Sequence, residues 1–180
     1  MFTDENLYEH FWNGEKIAAD ELVHRHGDIL VLFLNSYVKD IHEAEDLMIE
    51  AFALMFVKRR PVSEDGSFRA YLYKTARRLA GKAIKKHRIH IGLEELPFEL
   101  PGEALAETSL FENERKKQLY EALEELKPEY QEALYLVYLE DMSYRDTAEV
   151  MGRSESQIKN LVHRGKKSLK EILEKNGFEY

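Results

Sequence analysis

The chain has 180 residues, 44% of them hydrophobic, and a formal charge of −8. That length and apolar content bury a real core in two small domains or one medium one, which excludes global disorder. No cysteine is present, so disulfide staples and thiolate metal sites are excluded and any metal site would have to rest on histidines and carboxylates.

The N-terminal stretch MFTDENLYEHFWNGEK is acidic and polar and lacks the basic start and apolar run of a signal peptide. The longest apolar run, Ile29 to Leu34, is too short to span a bilayer. The expectation is a cytoplasmic chain without membrane insertion. Patterning is helical nearly throughout, with no alternation long enough for a strand. The expected fold is therefore all-α, with two small helical domains joined by an acidic linker and a helix-turn-helix in the C-terminal one. Ile91 to Gly102 (IGLEELPFELPG) holds two prolines and two glycines and breaks the helical period. This places a first domain over residues 1–90, an acidic linker over 91–112 and a second domain over 113–180.

Charge is segregated along the chain. Residues 58–88 carry eleven Lys or Arg against Glu64 and Asp65, residues 91–112 carry six glutamates and no base, and residues 153–170 carry six bases against Glu155. A net acidic body repels phosphate at long range, so two basic islands within it point to local nucleic-acid contact.

In chain order, the first informative helix begins near Asp40. Ala44, Leu47, Met48, Ala51, Phe52 and Met55 form its core arc, while Glu43, Asp46 and Glu50 share another face with Leu54 and Val57. Carboxylates mixed with exposed apolar side chains suit a protein interface, a solvated acidic face being the alternative. After Pro61 to Ser67, with Ser67 a candidate cap, a helix runs from Phe68 to about His87. Phe68, Leu72, Thr75, Ala76, Leu79 and Ala83 gather on one arc; Lys74, Arg77, Arg78, Lys82 and Lys85 gather on another, with Tyr71 among them. Cations beside an aromatic suit single-stranded DNA, where phosphates meet charge and bases stack; a basic solvated face is the alternative.

Leu126 to Leu173 carries the clearest turn signals. Lys127-Pro128 opens a helix through Tyr138, because proline fits a first turn. Ser143 is a candidate N-cap for Tyr144 to Met151, Gly152 stands where a left-handed C-cap is wanted, and Ser154 caps the next helix. A short helix, a glycine turn and a second capped helix form a helix-turn-helix. At about 100° per residue, Ile158, Leu161, Val162, Gly165, Leu169 and Ile172 share a buried arc. Ser156, Lys159, Asn160, His163, Lys166 and Lys167 lie opposite, mixing base-edge readers with phosphate-binding cations. An ordinary amphipathic surface helix is the alternative.

The run from Asp141 to Gly152 with Gln157-Ile158-Lys159-Asn160 and His163 to Leu169 resembles region 4 of the extracytoplasmic-function sigma factors, within the sigma-70 family. Ala44-Glu45-Asp46-Leu47 with Glu50 and Phe52 resembles that family's region 2.2, and Phe68 to Ala80 resembles its regions 2.3 and 2.4. The chain departs from the family's usual residues at Ile49, Tyr71, Arg78, Gln157-Ile158 and Leu161. The resemblance implies a transcription initiation factor, not an enzyme, whose partners are bacterial RNA polymerase core and promoter DNA and which needs no cofactor. It implies polymerase docking through Glu43, Asp46, Ile49, Glu50 and Leu54. Contact with the minus-ten element falls to Tyr71, Lys74, Arg77, Arg78 and Lys82, and Val62 to Ser67 would help hold a flipped base. Contact with the minus-thirty-five element falls to Ser154, Ser156, Gln157, Lys159, Asn160, His163, Arg164 and Lys167. The acidic linker would thread toward the polymerase cleft, and the family often has an anti-sigma factor as a restraining partner.

Two other classes stay open. A free-standing helix-turn-helix regulator would need a dimerisation surface and palindromic sites. A metal-dependent helical enzyme finds little support. His42-Glu43 lacks the histidine that a zinc-protease motif needs at Asp46, and Glu21-Leu22-Val23-His24 is a single Glu-x-x-His where a di-iron bundle needs two. His24, His26, His87 and His90 read as surface or packing residues.

Overall fold

In a computed structural model the described residues are 2–58, 67–91 and 114–178, and all the regular structure among them is helical. The chain divides into two compact units, Met1–Pro101 and Gly102–Tyr180.

The first unit holds α1 (Asp4–Trp12), α2 (Ile17–Val38), α3 (Ile41–Val57) and α4 (Phe68–Ile91). α1 was not foreseen from the sequence. Its signal is Thr3-Asp4-Glu5: the Thr3 hydroxyl accepts from Asn6 N at 3.2 Å, and the two carboxylates occupy the first turn, where the helix dipole favours them. α2 forms the centre of the unit, with Leu22, Leu30, Phe33 and Leu34 fully buried. It ends at Lys39, which is left-handed with φ 57°, and Asp40 at once caps α3 by accepting from His42 N at 2.9 Å and Glu43 N at 3.1 Å. The expected core arc of α3 is buried except for half-buried Met48. Small Ala44 and Ala51 let α3 sit close against the core, and Phe52 and Met55 fill it. Ser67 Oγ accepts from Ala70 N at 3.4 Å at the start of α4. Leu72, Tyr73 and Ala76 are buried beneath that helix, with the Tyr73 ring edge-on to Phe33 at 4.9 Å.

The second unit holds α5 (Glu114–Glu124), α6 (Pro128–Leu134), α7 (Tyr144–Met151) and α8 (Glu155–Lys175). The helix expected to run through Tyr138 is α-helical only to Leu134. Tyr135–Leu139 widens into a π turn, closed by Glu140 N donating to the Tyr135 carbonyl at 3.1 Å. The wider turn buries both Tyr135 and Leu136 completely while leaving Tyr138 on the surface. α8 packs across α5, α6 and α7. Gly165 permits the approach to α6, since a Cβ there would lie 3.2 Å from Tyr130 Cβ and 3.3 Å from the Leu134 side chain.

Candidate nucleic-acid and partner interfaces

The turn before α8 is built by local residues. Ser143 Oγ accepts from Asp146 N at 3.0 Å to start α7, and Gly152 ends it in the left-handed conformation with φ 64°. Ser154 Oγ then accepts from Gln157 N at 3.3 Å while Ser154 N donates to Gln157 Oε1 at 2.9 Å, a reciprocal capping box. Ser154 and Gln157, both candidate DNA contacts, are thus engaged in fixing the helix start. Ser156, Lys159, Asn160, His163, Arg164 and Lys167 are all exposed along α8. Ile158, Leu161, Val162 and Gly165 are buried behind them; Leu169 and Ile172 are half-buried and Leu173 is buried. A feature that local spacing does not reveal is that two lysines lie over tyrosine rings. Lys159 Nζ is 5.9 Å from the Tyr144 ring centroid and Lys166 Nζ is 5.3 Å from that of Tyr138, within cation–π range.

On α4, Lys74, Arg78 and Lys82 are exposed, as is Lys85, while Tyr71 and Arg77 are half-buried. The opposite arc, Phe68, Leu72, Thr75, Ala76 and Leu79, is buried, with Ala83 half-buried. The Val62 to Gly66 part of the candidate base-holding loop lies outside the described residues, as do residues 92–112 of the acidic linker.

α3 presents Asp46, Ile49 and Glu50 to the outside, with Leu54 half-buried. Ile49 is 61% exposed and Val57 73%, apolar side chains on a helix whose Asp46 and Glu50 are exposed as well. Glu43, the fifth docking candidate, is already engaged: its Oε1 meets His87 Nε2 of α4 at 2.8 Å. His26 is buried and bonds Asp4 Oδ2 at 2.9 Å, and His24 is exposed. Among the described residues, no three His, Asp or Glu side chains converge as metal ligands, and no helix is long and apolar enough to cross a membrane.

Two family models match along the chain, sigma-70 region 2 over residues 22–89 and sigma-70 region 4 over residues 116–169. The chain belongs to the sigma-70 family. Both regions fall in the order that the motifs imply, region 2 on α2 to α4 and region 4 on α5 to α8. The chain is similar to the ECF RNA polymerase sigma factor SigM of Bacillus subtilis, at 27% identity over 165 residues covering 87% of this chain and 95% of that protein. It is 28% identical over 166 residues to SigE of Mycolicibacterium smegmatis, an ECF RNA polymerase sigma factor, covering 89% of this chain and 63% of that longer protein. In fold it is similar to the sigma factor RpoE of Bartonella quintana, solved in complex with the anti-sigma factor NepR; the TM-score is 0.66 at 21% identity, covering 86% of this chain and 95% of that one. This sigma factor is accordingly of the extracytoplasmic-function type and directs promoter-specific transcription initiation. It belongs to a family of initiation factors, not of enzymes.

Proposed function

We propose that this sigma factor divides the work of initiation among three helix faces. Glu43, Asp46, Ile49, Glu50 and Leu54 on α3 dock on RNA polymerase core. Tyr71, Lys74, Arg77, Arg78 and Lys82 on α4 engage the minus-ten element as its strands separate. Ser154, Ser156, Gln157, Lys159, Asn160, His163, Arg164 and Lys167, at and along α8, grip and read the minus-thirty-five duplex. In this reading residues 1–90 form the docking and opening domain, 91–112 the acidic linker and 113–180 the duplex-reading domain, all working in the cytoplasm. The anti-sigma complex of the Bartonella protein supports an anti-sigma factor as this chain's restraining partner.

The observation that carries the reading is the α3 face, where Ile49 is 61% exposed between exposed Asp46 and Glu50. Such a face suits a protein partner, and a free-standing regulator could use it only to dimerise. Within that face Ile49 supplies apolar area, and Asp46 and Glu50 supply carboxylates one helical turn apart.

The test is runoff transcription with bacterial core polymerase on a pool of genomic promoter fragments, with and without the protein. New start sites that depend on the protein are expected. No start sites and no core binding would overturn the reading in favour of a free-standing helix-turn-helix regulator.

A further inference from the structure

α1 supplies none of the contacts proposed above, yet its side chains converge on the helices that do. The Tyr8 hydroxyl donates to the Met55 carbonyl, near the end of α3, at 2.9 Å. The Tyr8 ring lies 5.3 Å from that of Phe68, the first residue of α4. Glu5 Oε1 accepts from Phe68 N at 3.2 Å, satisfying one of the donors that a helix start leaves without an intrahelical partner. Asp4, its side chain only 13% exposed, meets an imidazole and two guanidinium groups: His26 Nε2 at 2.9 Å and Arg25 Nη1 at 3.2 Å on α2, and Arg69 Nε at 3.5 Å on α4. Burial pushes the Asp4 carboxyl up, but the hydrogen bonds of His26 and Arg25 and the charges of His26 and Arg69 outweigh it and hold the group below the usual aspartate range. The ties to α4 fall on its first two residues, and Tyr8 also holds the last turn of α3.

We infer that α1 is a positioning element for promoter opening: Asp4, Glu5 and Tyr8 fix the start of α4 against the end of α3 and so set the alignment of the α4 cationic face. The inference rests on the reading of α4 as the opening helix. Tyr71, Lys74, Arg78 and Lys82 stand on the same rigid helix as Phe68, so a tilt at its start is carried to each of them. Misplacement of a positioned group by about 1 Å costs up to about a hundredfold in rate. α3 keeps its own cap and α4 keeps Ser67, so loss of a tie from α1 is expected to loosen the alignment and leave both helices formed.

The test uses holoenzyme assembled from the full chain, on one promoter presented as closed duplex and as a template mismatched across the minus-ten segment. Glu5→Ala removes the acceptor for Phe68 N, whereas Glu5→Gln keeps an oxygen in its place. Expected for Glu5→Ala is an about fivefold slower opening of the duplex promoter, with core binding and transcription from the mismatched template unchanged. Glu5→Gln is expected to recover most of the rate. Tyr8→Phe removes only the hydroxyl held by Met55 and is expected to slow duplex opening about two- to threefold, which keeps the test decisive if Glu5→Ala does not fold. Wild-type opening by both variants, or equal loss on both templates, overturns the inference. Arg78→Ala separates the two claims. If it slows opening while Glu5→Ala and Tyr8→Phe do not, only the role of α1 falls. If Arg78→Ala and Lys74→Ala open the duplex normally, the assignment of α4 falls and the inference with it.

Discussion

α4 and α8 both carry a row of cations along one face and both rest on apolar side chains behind a serine cap, but their starts are held differently. α8 brings its own start, the Ser154–Gln157 box, and rests on an apolar bed of Ile158, Val162 and Gly165, so the polar arc is exposed throughout. α4 has its first backbone amide held by Glu5, 63 residues earlier, and touches α1, α2 and α3. Two of its five candidate contacts, Tyr71 and Arg77, are half-buried. A helix proposed to read closed duplex needs a rigid seat and a free face, which local sequence supplies. A helix proposed to act on separating strands is here aligned by charges donated from a distant segment. Packing and local caps thus seat both helices, and in the first unit ion pairs and a hydrogen bond from α1 add to them at the start of α4.

The largest test of that contrast is Gly165→Leu. It drives a side chain into a space where even a Cβ would lie 3.2 Å from Tyr130, at an expected cost of about 3 kcal/mol confined to the second unit. Trp12 is the one tryptophan of the chain and sits in α1, so its fluorescence follows the first unit while circular dichroism follows both. A lowered dichroism midpoint with an unmoved fluorescence transition is expected; equal shifts in the two signals would break the contrast.

Acid should act on the other unit. The Asp4 carboxyl is depressed in the fold, so its contribution is complete above the ordinary aspartate value of 3.8 and is lost as pH falls through the lower folded value. In an acid titration the Trp12 signal is expected to change in that window below 3.8, and Asp4→Asn to flatten the change. The second unit's Arg153–Glu129 pair, at 3.1 Å on the surface, contributes little and should respond weakly. An Asp4→Asn profile identical to that of the parent chain would remove the Asp4 ion pairs from the account of the first unit.

The smallest effect belongs to the cap. Ser154→Ala is expected to cost about 1 kcal/mol in the melting of the second unit, with Ser154→Asp restoring most of it. Weaker duplex binding should accompany the loss, with core polymerase binding unchanged; parallel loss of both would mean that the cap supports more than α8.

This division also explains what the sequence revealed. Ser143, Gly152 and Ser154 act within three or four residues of themselves, so the helix-turn-helix was legible down to its caps. The core arcs of α3 and α4 followed from helical spacing alone. The second use of Gln157 was also there to be read, since it stands three residues after Ser154 in a capping-box pattern. The Glu43–His87 contact, spanning 44 residues, has no local signature, and neither do the ties from α1 to α4. Composition pointed to the faces, but not to which of their members another helix already occupies.

The π turn at Tyr135–Leu139 has a consequence for how this chain tolerates change. A π turn closes its bonds five residues back instead of four, which makes it equivalent to one residue inserted into an α-helix and absorbed there. The azimuth at which Met142 and the start of α7 leave this segment therefore depends on the number of residues in it more than on the identity of an exposed one such as Tyr138. In genetic terms, a one-codon deletion here is a rotation of the helix-turn-helix about its support, while a missense change at Tyr138 is a local edit that reaches the Lys166 lying over its ring.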